Sequence, residues 1–153
     1  MEMFRGMMKI VVLGILLGMA SAPVSQSAYA QMAHKVAIHV DENDAGRMNL
    51  VLNNAQNVSK YYQDKGETVQ IEIVAYGPGL NMLSEEKSPV KARVAAMGLE
   101  MDNLTFAACG NTLAKMEKKA GKKIKLVSEA KMVPSGVVRL IELQEQGWSY
   151  VRP

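Results

Sequence analysis

From residue 35 to the end of the chain, short β-branched runs take turns with stretches whose apolar residues recur every three or four positions. No other feature constrains the fold as tightly, because strands joined by helical crossovers must lie parallel in one sheet. KVAIHVD (residues 35–41) alternates Val36, Ile38 and Val40 and predicts a first strand. Residues 45–65 place Met48, Val51, Leu52, Ala55, Val58 and Tyr62 on one face of a long helix, which Asp44 or Asn43 can cap. Lys65-Gly66 ends that helix, and TVQIEIVAY (68–76) predicts a second strand. Gly77-Pro78-Gly79 then breaks the chain, and residues 81–88 read as loop or a short turn of helix. Pro89 opens a second helix carrying Val90, Val94 and Met97; residues 103–108 form a short, buried third strand. A helix over 110–119, a brief strand closing at Met132-Val133, a helix over 137–146 and a strand over 148–151 complete the order. The expected fold is α/β: about five strands in a mostly parallel sheet with helices on both faces, a three-layer sandwich.

The first thirty residues read differently. Arg5 and Lys9 precede an uncharged apolar stretch over 10–20, and a polar segment ends in Ala28-Tyr29-Ala30, the small-x-small pattern of a cleavage site. The apolar stretch is shorter than the roughly 20 residues a membrane-spanning helix needs. A secretory signal peptide over residues 1–30, cleaved after Ala30, is therefore expected, with residues 31–153 as one domain, exported to the periplasm and free of the membrane. Removing Glu2, Arg5 and Lys9 takes the formal net charge from +3 to +2. So weak a bias argues against nucleic acid as the main partner.

In such folds, ligands and reactive groups collect where strands hand over to helix N-termini. Three segments meet that description: 41–44, 76–79 and 108–112. The third, within LTFAACGNTL, holds Cys109, the only cysteine in the chain. Backbone N–H groups without helical partners and the helix dipole favour a thiolate there. Gly110 permits close backbone approach, and Asn111 or Thr112 can donate to a bound anion, as can Gly77, Gly79 and Asn43 on the neighbouring segments. A buried, inert thiol is the competing account, since cysteine is among the most buried residue types. No second cysteine stands three residues away, which excludes CxxC exchange and leaves a single carrier thiol. The carrier reading requires a sulfur that solvent can reach.

The stretches HKVAIHVDENDAGRMNLVLNNAQN, EIVAYGPGLNML, TFAACGNT and VPSGVVRLIELQEQGWSYVRP resemble the DsrE/DsrF-like family, in its exported single-domain branch. The resemblance covers essentially the whole of residues 31–153. It implies a parallel α/β sheet, homo-oligomers (trimers or hexamers), and a cysteine that carries sulfane sulfur as a persulfide between donor and acceptor proteins. The matching position is Cys109. The sulfur-relay members act in the cytoplasm, whereas this leader addresses the periplasm.

Other residue sets point to less. His34 and His39 lack metal-ligand spacing with Cys109, so neither a metal nor another cofactor is expected. Asp41, Glu42 and Asp44 read as a capping cluster, able to border the thiol if the strand order brings them there. Gly77-Pro78-Gly79 matches no phosphate-loop pattern and reads as a tight turn, with a backbone anion site as the alternative. Asn49, Asn53 and Asn57 form a polar stripe, suited to solvent or to a subunit neighbour. Lys115, Lys118, Lys119, Lys122, Lys123 and Lys125 read as a solvated helix end, or else a surface for an acidic partner or inorganic anions. Two functions follow: a sulfur carrier on Cys109, or a non-catalytic oligomeric binding module with an inert cysteine. Acid/base catalytic machinery is not evident.

Overall fold

The computed structural model describes residues 33–153; the expected leader and its cleavage point lie outside the described residues. Five strands, β1 (Ala33–Val40), β2 (Thr68–Ala75), β3 (Leu104–Cys109), β4 (Ala130–Val133) and β5 (Ser149–Val151), alternate with four helices. These are α1 (Ala45–Asp64), α2 (Lys91–Glu100), α3 (Gly110–Ala120) and α4 (Gly136–Glu145). The strands pair in the order β4-β3-β2-β1-β5, and every pairing is parallel.

That order decides which face each helix covers. From β1 to β4 the chain steps in one direction, so right-handed crossovers put α1, α2 and α3 on one face. From β4 it returns past the whole sheet to the far side of β1, and the same handedness puts α4 on the opposite face. The cores match this asymmetry. On the three-helix face, Met48, Val51 and Leu52 of α1 and Val94 and Met97 of α2 pack on Val36, Ile38, Ile71, Ile73 and Phe106. On the other face, Leu140 and Leu143 of α4 cover only Ala37, Val74 and Ala107, with Tyr76, Val133 and Trp148 around them. Small strand residues there let the helix lie close. The outward side of α4 stays apolar: Val137, Val138 and Ile141 are each about half exposed.

Local chemistry explains the element ends. Asp44 caps α1, its carboxylate accepting the Arg47 N–H at 2.7 Å. Gly121 ends α3 in the left-handed region, φ 65°. Two details depart from the sequence expectations and a third adds to them. Gly77-Pro78-Gly79 does not simply break the chain; it opens a 3-10 segment, Gly77–Leu83, that buries Leu80, Met82 and Leu83. Their two- and three-residue spacings carry no α-helical period, which hid the segment. Pro89 precedes α2 rather than starting it, in a turn where the Ser88 hydroxyl accepts the Val90 N–H at 3.3 Å. The asparagine stripe is solvated at Asn53 and Asn57, as one expectation had it, but it also serves α2: Asn49, Asn53 and Gln56 oxygens accept from the Arg93 guanidinium at 2.6, 2.9 and 3.1 Å.

On the α4 face, Glu72 of β2 is buried and meets Arg139 of α4 through two hydrogen bonds, 2.6 Å from Nε and 2.7 Å from Nη2. This paired fork anchors the lone helix.

Candidate functional site

β1, β2 and β3 are neighbours, so the three segments singled out in the sequence end on one rim of the sheet. Cys109 is the last residue of β3 and the N-cap of α3, where its sulfur takes the place of the usual capping oxygen. The Thr112 N–H donates to Sγ at 3.4 Å. β4 pairs with β3 so that Cys109 faces Val133, and the chain then turns through Pro134 and Ser135 into α4. That turn packs Gly136, the first residue of α4, against Cys109. Gly136 must be glycine for this approach. A Cβ there would stand 2.8 Å from Tyr76 Cβ and 3.2 Å from Cys109 Cβ.

The thiol thus lies where two helices begin, one from each face of the sheet. Burial pushes its pKa up. The Thr112 hydroxyl and the Gly136, Thr112 and Asn111 N–H groups more than offset that, and the net shift is downward from the ordinary thiol value. Thr112 is itself oriented. Its Oγ1 accepts the Gly77 N–H at 2.9 Å, which leaves the hydroxyl proton for sulfur.

The reach expected of the sulfur differs. Cys109 is 4% exposed, covered by Tyr76 and by the connection into α4. Beside it opens a cavity of about 480 Å³ lined by Tyr76, Gly77, Pro78, Asn81, Thr112, Lys115, Met116 and Lys119. Tyr76 and Thr112 belong to both the cavity wall and the thiol's surroundings.

The remaining expected residues fall as follows. Gly77, at φ 52°, commits its N–H to Thr112. Gly79 is buried against the backbone of Val40 and Asp41, where its lack of a side chain allows the 3-10 segment to seat. Gly110 lies against the Val133 and Pro134 carbonyls, and the exposed Asn111 donates its N–H to the Pro134 oxygen at 3.2 Å. Asn43 is exposed beside the cap Asp44. Asp41 is held by Arg152, whose Nη2 donates to both carboxylate oxygens at 2.9 and 3.1 Å, and it is not among the main groups shifting the thiol. His34 lies at the opposite end of β1, 2.9 Å from Glu67 and stacked on Tyr62.

Sequence reasoning missed the contribution of Pro134-Ser135-Gly136 and the role of the C-terminal residues. The first was readable only with the strand order, which sets β4 beside β3. The second concerns His39, 6% exposed, whose ring stacks on Tyr76 with centroids 4.6 Å apart. Tyr150 of β5 lies 2.8 Å from His39 Nδ1, and Nε2 faces Asp41 at 3.8 Å, beyond hydrogen-bond range. Burial lowers the His39 pKa, Arg152 adds to this, and Asp41 opposes it. The unfolded chain therefore takes up a proton first as pH falls through 6.5, the ordinary histidine value. Below that point the folded state loses stability until its own His39 titrates. Thermal melts from pH 7.5 to 5 should show this decline, and His39→Gln should flatten it. An equal slope in the variant removes the assignment.

A five-stranded parallel α/β domain with a charge-biased cysteine at the head of α3 defines a recognisable class. The DsrE/DsrF-like family profile matches residues 25–153, and the chain belongs to that family. A search of curated proteins gives no match. Among solved structures, the chain is similar to a protein of unknown function from Methanobacterium thermoautotrophicum, at 32% identity and a TM-score of 0.67. The match covers 78% of this chain and 99% of that one.

Proposed function

We propose that this protein carries sulfane sulfur on Cys109. The observation that carries the reading is the meeting of two helix N-termini at Sγ, with the thiol pKa held down despite burial. A thiolate formed there attacks the outer sulfur of a persulfide or polysulfide donor. The donor's S–S bond breaks, an Sγ–S bond forms, and the donor leaves as a thiolate, with no net oxidation or reduction. The new persulfide anion meets the same N–H donors, and a second thiolate removes the sulfur in the reverse sense. The leader-like pattern of residues 1–30 supports export, with this exchange then running in the periplasm. The half-exposed apolar side of α4, with Val137, Val138 and Ile141, supports a homo-oligomer; a solution mass of one chain removes that part.

Exposure to polysulfide should add one sulfur atom, about 32 Da, in intact mass, reversed by dithiothreitol and absent in Cys109→Ser. Thr112→Val should raise the pH at which loading sets in, and Thr112→Ser should restore it. A second reading, a binding module with an inert cysteine, draws on the 4% exposure of Cys109. A thiol that resists both polysulfide and small alkylating reagents establishes that reading instead.

A further inference from the structure

We infer that the cavity beside Cys109 is the entry site for a small, carboxylate-bearing thiol persulfide, which delivers its sulfur to Sγ. This rests on the reading of Cys109 as a sulfur carrier and adds the chemical class of the donor. The argument begins with access. At 4% exposure, Cys109 does not present its sulfur to a flat protein surface, whereas the adjoining cavity of about 480 Å³ lies within the range that holds small molecules. Tyr76 and Thr112 line the cavity and also border the sulfur, so a donor seated there reaches Sγ once these two side chains part, without any layer of the fold moving.

The lining then selects the donor. Met116, Pro78 and the Tyr76 ring supply an apolar floor. Lys115 and Lys119, one turn apart on α3, border it, and neither is in an ion pair or hydrogen bond among the described residues. The nearby Lys122 and Lys123 are neutralised by Glu86 and Glu117 at 3.1 and 2.9 Å. Two uncompensated ammonium groups at the rim favour an anion, and among the described residues no acidic side chain lines the cavity to oppose it. Asn81 is also in the wall. Its Oδ1 is buried and without a hydrogen-bond partner among the described residues, an acceptor left open in a site otherwise rich in donors. The terminal torsion of asparagine is broad, so the oxygen turns toward a ligand at little cost. Carboxylates for the lysines, an N–H for Asn81 and a sulfur for Cys109 together describe an amino-acid-derived thiol.

The step balances as a sulfur transfer. Sγ of the thiolate bonds to the outer sulfur of R–S–SH, the S–S bond of the donor breaks, and R–S⁻ departs with the electron pair. The proton stays on the transferred sulfur or passes to solvent.

The test compares glutathione persulfide with the persulfide of glutathione diethyl ester, which keeps the sulfur and amide groups but blocks both carboxylates. Loading of Cys109 is followed by intact mass on the full domain at low salt. The free acid should load about tenfold faster, an advantage that fades at high salt. Lys115→Glu/Lys119→Glu, two changes at exposed positions, should abolish or invert the preference. Equal rates for acid and ester, or a preference untouched by the double variant, overturn this inference while leaving the carrier reading intact. Failure of every donor to load Cys109, polysulfide included, overturns both.

Discussion

Gly79→Ala should destabilise the domain by about 3 kcal/mol or more, the upper end of what overpacking costs. A Cβ at that position would stand 2.6 Å from the Val40 carbonyl carbon and 2.7 Å from the Asp41 nitrogen, and closer still to the Val40 oxygen. Neither group can yield. Val40 ends β1 inside the sheet, and its oxygen accepts the Tyr76 N–H at 3.1 Å. The 3-10 segment would have to lift, unseating Leu80, Met82 and Leu83. Gly121→Ala is the useful comparison. Nothing lies within 4 Å of its would-be Cβ, so only the left-handed φ of 65° is strained, and about 1 kcal/mol should be lost. Urea unfolding of the two variants separates them, and similar losses would show that Gly79 is not a contact of this kind.

Arg139→Met should cost about 2–3 kcal/mol and lower the melting temperature by roughly 10 °C. The substitution leaves the Glu72 carboxylate buried on the central strand β2 without its two donors. The figure stands below the full cost of stranding a buried charge because the Arg139 side chain is 28% exposed, which lets water reach the broken pair. Replacing both partners, Glu72→Leu with Arg139→Met, should recover much of the loss, since no charge is then left behind. A double variant as unstable as the single one would mean that the pair contributes shape rather than charge.

Periodicity made most of the architecture legible. The β-branched runs around Val36, Ile71 and Phe106 and the three-four spacing of Met48, Val51, Leu52 and Ala55 are local signals, and the parallel sheet follows from their alternation. Strand order is a different kind of fact. It depends on which neighbours bury each face best, and no stretch of sequence encodes that by itself. This is why Cys109, Thr112 and Gly77 were readable as a group of strand ends, while Gly136 at the sulfur and Tyr150 on His39 were not. The partner of the asparagine stripe was hidden for the same reason: Arg93 is some forty positions away on α2. The burial of Cys109 was equally out of reach. It follows from how tightly Gly136 admits Tyr76, a contact between segments far apart in the chain.

Because α3 and α4 approach Sγ from opposite sides of the sheet, a single thiol doubles as an internal gauge of how both layers are seated. Loosening the anchor between β2 and α4 draws one amide away, and the acidity of the sulfur weakens although no residue touching it has changed. Titrating Cys109 in the Arg139→Met variant would read that movement directly.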